Sequence, residues 1–331
     1  MPYTFALVGQ TASGKNRLAV EAVEALARLG GPSLEIISLD SMKVYRHMDL
    51  GTAKPDAALR ARVPHHLLDV VEPSERFDAG RYVALAKEAE ARIRARSALP
   101  LYVGGTGMYL HFLVYGHFEG PGSDPRVRKR LHALAEAEGS QALHRRLAEL
   151  DPASASRLHA NDLKRLVRAL EVYELTGKPL SEVQREERPR SDVALYLYGV
   201  RWPRELLDAR INRRTAQMFA AGWVDEVRTV RDEHGGFGPQ AREALGYREI
   251  LHWLDTPPEA REVPDEAHLE ALVAQRTRRF ARRQMTWFKR FPLAWLDLDE
   301  TSATEQQRAA HAEQLAHAWH ATLRHHRING D

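Results

Sequence analysis

The chain has 331 residues, 44% of them apolar, and a formal charge of only +3, with a pI of about 9.1 because Arg dominates its cations. That is enough apolar material for two domains with real cores. The absence of cysteine excludes disulfide scaffolds, thiolate catalysis and zinc ribbons. No apolar stretch approaches bilayer-spanning length, and the first strand begins at once, so neither a membrane contact nor a signal peptide is expected and a cytoplasmic location is.

In chain order, Phe5–Val8 reads as a buried strand. It runs into Gly9-Gln10-Thr11-Ala12-Ser13-Gly14-Lys15 and then a helix to Leu29 with Leu18, Ala22, Leu26 and Leu29 on one stripe. Strand, glycine loop with lysine, and helix form a phosphate cradle: backbone N–H groups turn toward one anion, Lys15 adds a full charge and the helix N-terminus a partial one. The position after the lysine normally carries a hydroxyl that ligates Mg²⁺. Here it is Asn16, whose amide oxygen is the candidate metal ligand.

A second strand, Leu34–Leu39, ends in Asp40-Ser41-Met42-Lys43-Val44-Tyr45. A short strand at His66–Val70, a helix at Tyr82–Arg96 and a strand at Leu99–Val103 follow, the last ending in Gly104-Gly105-Thr106. Alternating strands and helices imply a parallel sheet, whose carboxyl ends face the ligand. Three strand ends thus surround one crevice. Asp40 there can act as a general base or a water-mediated metal ligand, or simply cap a helix.

The turn-rich segment Glu119-Gly120-Pro121-Gly122-Ser123-Asp124-Pro125 then opens an all-helical stretch. Within it Asn161 or Asp162 caps a helix carrying Leu163, Leu166, Val167 and Leu170, ended by Thr176-Gly177-Lys178-Pro179. Arg188-Pro189-Arg190-Ser191-Asp192 closes the stretch. A strand at Val193–Val200, helices at Arg204–Ala220, Val224–Glu233 and Ala267–Phe288, and a strand at Leu293–Leu298 complete the pattern. The expected fold is α/β, a parallel sheet flanked by helices (residues 1–118 and 192–331) with an inserted all-helical domain (119–191). Basic residues recur at helical spacing: Lys164, Arg165 and Arg168; Arg210 and Arg214; Arg276, Arg279, Arg283 and Arg290. The last group is interleaved with Phe280, Trp287 and Phe288, which suit stacking on unpaired bases but also suit a core.

Several segments in order resemble a known family. They are Gly9–Lys15, Asp40-Ser41 with Tyr45, Gly51-Thr52-Ala53-Lys54-Pro55, His65-His66-Leu67-Leu68-Asp69, Gly104-Gly105-Thr106, and Asn161-Asp162 with Arg165 and Arg168–Val172. Thr176–Pro179, Leu245-Gly246-Tyr247-Arg248-Glu249 and Arg283-Gln284-Met285-Thr286-Trp287-Phe288 follow. Together they resemble the bacterial tRNA dimethylallyltransferases, with departures at Gln10 (usually Pro), Asn16 (usually Thr or Ser) and Lys43 (often Gln). The resemblance implies a P-loop NTPase-like fold and transfer of a dimethylallyl group from dimethylallyl diphosphate to the amine of the adenine next to the tRNA anticodon. It implies Mg²⁺ as cofactor, a monomer, and the tRNA anticodon stem-loop as partner. By the same resemblance Asp40, Thr106, Lys15 and Arg214 are catalytic, and Gly9, Gln10, Thr11, Ala12, Ser13, Gly14, Lys15 and Asn16 bind the diphosphate. Asp40, Ser41, Met42, Lys43, Thr106, Arg128, Lys164, Arg165, Arg168, Gly246, Tyr247, Arg279, Arg283 and Gln284 contact tRNA. An ATP-dependent nucleotide or small-molecule kinase shares the loop and is the alternative; a non-catalytic RNA-binding protein with a relic loop is a second.

Overall fold

Six parallel strands form one sheet in the order β3-β2-β4-β1-β5-β6. They are β1 (Tyr3–Gly9), β2 (Leu34–Leu39), β3 (His65–His66), β4 (Leu99–Gly104), β5 (Ala194–Arg201) and β6 (Ala294–Asp297). The computed structural model describes residues 2–116, 121–185 and 189–329. The expected boundary at 118, with Glu119, Gly120 and Arg188, lies outside the described residues. Register places Leu7 opposite Val103, Tyr3 opposite Ala194 and Leu39 opposite Gly104. Every residue of β2 and nearly all of β1 and β4 are buried, which is why these strands read as continuous apolar runs rather than alternating ones.

The helix Lys15–Arg28 buries Leu18, Ala22 and Leu26 against this sheet. Strand β3 is shorter than expected because Leu67 and Asp69 take positive φ, 61° and 54°, a conformation no strand continues through. The sequence reading lacks the helices Ala57–Arg62, Gly107–Tyr115, Tyr247–Asp255 and Glu305–Asn329. The last of these completes the core. Its Trp319 is fully buried, 5.8 Å from Phe5 and 6.1 Å from Tyr198 between ring centroids. Its apolar stripe is Ala312, Leu315, Ala316, Trp319 and Leu323, five residues spread through a run rich in His, Ala and Gln. No helix among the described residues is long and apolar enough to cross a membrane.

The chain divides into two compact units, 1–111 with 191–331, and 112–190. The first division falls inside the helix Gly107–Tyr115, ahead of the turn-rich segment that marks it in the sequence. In the second unit, Leu131, Leu143, Leu147, Leu166 and Leu170 form a separate core. Asp162 caps the helix Leu163–Thr176, accepting the Arg165 N–H at 3.3 Å, and Gly177 ends it. One acid organises this unit. Glu171 has 0% exposure and accepts from Arg128 Nε (2.8 Å), Arg128 Nη2 (3.0 Å), Arg168 Nη1 (2.8 Å) and the Asp124 N–H (2.9 Å). Burial is the largest single effect and raises its pKa, but the donors together outweigh it and hold the carboxyl below the usual carboxylate range. Arg128 and Arg168 are thus committed to Glu171, whereas Lys164 and Arg165 are exposed.

Removing one partner of a buried ion pair strands the other. Arg168→Ala is therefore expected to destabilise the protein by about 1–3 kcal/mol, less than a fully buried pair because Arg128 remains, whereas Arg165→Ala changes stability by less than about 0.5 kcal/mol. Urea unfolding of the two variants checks the contrast.

Candidate active site

The loop after β1 is shaped by its own backbone. Gly14 takes φ +84° as the residue before the helix Lys15–Arg28, and Ala12 takes φ +60°. The Ser13 N–H closes on the Gln10 carbonyl at 3.2 Å, and Lys15 Nζ donates to the same oxygen at 3.2 Å. The helix Glu266–Phe288 clasps this loop. Gln284 is 6% exposed; its Oε1 accepts the Thr11 N–H and its Nε2 donates to the Gly105 carbonyl, both at 2.8 Å. Gln10 Nε2 donates to the Ala281 carbonyl at 2.8 Å, a bond that proline at this position could not make. One amide therefore ties the ends of β1 and β4 together. Position 105 must be glycine for this: a Cβ there would sit 2.4 Å from Gln284 Nε2.

At the end of β2, Asp40 Oδ1 accepts the N–H groups of Met42 (2.9 Å) and Lys43 (3.3 Å). At the end of β4, Thr106 Oγ1 accepts the Ser41 N–H at 3.2 Å. The Gly105 and Thr106 N–H groups both reach the Leu39 carbonyl at 3.1 Å. Strands β2, β4 and β1 are neighbours, so the three loops meet.

They enclose a cavity of about 320 Å³. Thr11, Ala12, Lys15, Asn16, Asp40, Ser41, Met42, Lys43, Thr106 and Arg214 line it together with Tyr247, Arg283 and Gln284. Three of its cations are poorly solvated. Burial pushes the Lys15 ammonium down to about 7, with repulsion from Lys43 adding and attraction to Asp40 opposing. Burial likewise lowers Lys43 to about 8, again against Asp40. Arg214 is held below its usual value by burial, with Asp40 opposing. A cavity that holds cations at this cost in hydration is built to receive an anion.

Gly9, Gln10, Ser13 and Gly14 shape the loop from behind the cavity wall, and Gly246 and Arg279 also stand outside the lining. Arg128, Lys164, Arg165 and Arg168 belong to the other unit. Of the residues with expected tRNA contacts, Gln284, Tyr247 and Gly246 are engaged internally. Gln284 spends both amide ends on the clasp. Tyr247 is fully buried, and its hydroxyl donates to Glu226 Oε1 at 2.5 Å. Glu226 in turn accepts the N–H groups of Asp49 and Leu50 at 2.8 and 2.7 Å. Gly246 is part of a helix cap: its N–H donates to Glu249 Oε2 at 2.7 Å.

Two sequence motifs prove to be one structural feature. Lys54 of Gly51–Pro55 donates to Asp69 of His65–Asp69 at 2.6 Å, and also to Asp49 (2.6 Å) and the Tyr45 carbonyl (2.5 Å). Of the interleaved aromatics, only Phe288 is wholly buried, while Phe280 lines the cavity. Sequence reading missed the apolar wall of Ile211, Met218 and Trp223, and also Thr52, Glu243 and Arg248. The wall comes from the helices Arg204–Ala220 and Trp223–Glu233, where an apolar residue facing a cavity looks like one facing a core.

The chain matches the family model described as IPP transferase over residues 43–291. It is 45% identical over 296 residues to the tRNA dimethylallyltransferase of Geobacter sulfurreducens, covering 87% of this chain and 90% of that protein. It is 41% identical over 313 residues to that of Geobacillus kaustophilus, covering 94% of each. Among solved structures it is similar to the full-length tRNA isopentenylpyrophosphate transferase of Bacillus halodurans (TM-score 0.63, 33% identity, 97% of this chain and 100% of that one). It is also similar to a eukaryotic dimethylallyltransferase acting on tRNA (TM-score 0.73, 25% identity, 93% and 78%). A phosphate loop, an acid and a hydroxyl on adjacent strand ends, and relatives of one kind over most of the chain place it in the IPP transferase family.

Proposed function

We propose that this protein transfers the dimethylallyl group of dimethylallyl diphosphate to the exocyclic amine of the adenine next to the anticodon of tRNA. The observation that carries the reading is the single cavity shared by Lys15, Asp40, Thr106 and Arg214, with an apolar wall beside them. It offers cations to a diphosphate, an acid to a proton, and Ile211, Met218, Trp223 and Phe280 to a five-carbon chain.

An adenine amine is a weak nucleophile because its lone pair is delocalised into the ring, so departure of the leaving group carries much of the barrier. The allylic C–O bond breaks, its electron pair leaves with the diphosphate, and the carbon bonds to nitrogen. Lys15, the loop N–H groups and Arg214 stabilise the growing negative charge. Asp40 takes the amine proton. Its Oδ1 is occupied by the Met42 and Lys43 N–H groups, which leaves Oδ2 for the proton and fixes the carboxylate's aim. Thr106, whose oxygen accepts from Ser41, still has a hydroxyl proton to donate to the donor phosphate.

Transfer from a diphosphate is commonly assisted by a divalent cation, the role in which the sequence places Mg²⁺ on Asn16. The residues present do not fit a metal held by the protein. Asn16 supplies an amide in place of a hydroxyl, and the buried ammonium of Lys43 stands on the same cavity wall. No step is derived through the ion.

For tRNA, the exposed Lys164 and Arg165 of the helical unit suit the anticodon stem, and the exposed Arg279 and Arg283 suit the loop. The base must leave its stack to enter the cavity, at a cost of a few kcal/mol. We assign the reaction to a monomer in the cytoplasm.

Asp40→Ala is expected to lower kcat by about 10²–10⁴ while leaving the tRNA Kd unchanged. Steady-state kinetics paired with tRNA binding tests this, and an unchanged kcat would refute the base role. Exchanging Lys164 and Arg165 together for Ala should reduce the salt slope of tRNA binding by about 1 per contact. The lowered lysine values predict a proton linkage. At pH 8 the free Lys15 is largely neutral; an arriving anion favours its charged form, so binding takes up protons. Calorimetry of dimethylallyl diphosphate binding in buffers of different ionisation enthalpy should show uptake at pH 8 that Lys15→Met diminishes. Label from ATP appearing in a phosphorylated product, with no prenyl group on tRNA, would favour the kinase.

A further inference from the structure

Two lysines next to the same strand end are buried in opposite ways. Lys54 has a side chain only 2% exposed, and its ammonium is fully partnered by Asp49, Asp69 and the Tyr45 carbonyl. Lys43 is 7% exposed, yet among the described residues no carboxylate lies within ion-pair distance of its ammonium. Its backbone is fixed: its N–H donates to Asp40 Oδ1, and its carbonyl accepts the Asp69 N–H at 3.2 Å. Its side chain lines the cavity beside Asn16, and the same two residues share a second, narrow cleft with Ser38, Pro55 and His65. Proteins bury ammonium groups when they are paired. A buried ammonium that faces a cavity without a partner marks the place of an anion that arrives from solution.

Resting on the transfer reaction proposed above, we infer that Lys43 supplies, on the Asn16 wall, the positive charge that a divalent cation would otherwise bring to the diphosphate, so that this chain binds its donor without metal. Three buried side-chain cations, Lys15, Lys43 and Arg214, then face the leaving group beside Asp40, the carboxylate whose attraction favours the charged form of each. Lys43 sits too deep for a polynucleotide backbone but within reach of a small anion entering the cavity. That assigns it to the donor rather than to the tRNA contacts expected from sequence. The amide of Asn16 and the ammonium of Lys43 are a matched pair: the first weakens a metal contact and the second replaces its charge.

The test is calorimetric titration of the full-length protein with dimethylallyl diphosphate, without tRNA, once in EDTA and once in Mg²⁺. For the natural chain the two dissociation constants should agree within about fivefold, or about 1 kcal/mol. Lys43→Gln should weaken binding in EDTA by more than about tenfold, the loss expected of a charge-assisted contact. The double variant Asn16→Thr with Lys43→Gln should bind tightly only in Mg²⁺. Natural protein whose affinity improves by more than about fivefold with Mg²⁺ overturns the proposal, as does a folded Lys43→Gln that binds like the natural chain in EDTA. The metal comparison on the natural chain stands even if the variants do not fold. Nucleoside mass spectrometry of tRNA incubated with the natural enzyme separates the two levels. Prenylation with metal-dependent donor binding sinks only the role of Lys43, and absence of prenylation in either condition sinks the reaction itself.

Discussion

Positive charge held away from water beside the carboxylate of Asp40 is the constraint around which the catalytic unit is arranged. Lys15, Lys43 and Arg214 are all held below their usual values by burial, and Asp40 is the acid that favours each of their charged forms. Such an arrangement opposes folding unless rigid surroundings hold it. The surroundings are the ends of three adjacent strands and one buried glutamine, whose two amide bonds join the phosphate loop to Gly105. An arriving diphosphate offsets the desolvation of these cations, so binding and catalysis draw on the same buried charge.

The supporting structure shows how much of the sequence signal is scaffold. Lys54 with Asp69, Glu226 with Tyr247, and Glu249 with Gly246 hold loops in place and touch no reacting atom in the proposed mechanism. The helical unit follows the same pattern on a smaller scale: Glu171 draws Arg128 and Arg168 inward and leaves Lys164 and Arg165 to face solvent.

The parallel sheet was legible because buried strands such as Leu34–Leu39 are unbroken apolar runs. The cavity was legible because a phosphate loop fixes where neighbouring strand ends must point. What stayed hidden has physical causes. The helix Glu305–Asn329 buries Leu315, Trp319 and Leu323 with two alanines, a sparse stripe in a run dominated by Ala, His and Gln. Ile211 and Met218 face a cavity with the same residue types that face a core. Gln284 and Tyr247 carry groups suited to RNA contact, and nothing in their spacing shows that these groups bond inward. Likewise, Arg128 and Arg168 read as basic surface until the burial of Glu171 is known.

The most direct test is a crystal structure with dimethylallyl diphosphate bound in the absence of tRNA. The account predicts the diphosphate seated on the loop N–H groups, with its oxygens on Lys15, Lys43 and Arg214, and the allylic carbon between Asp40 and the apolar wall. A diphosphate bound elsewhere, or seated with its prenyl chain directed away from Asp40, would contradict it.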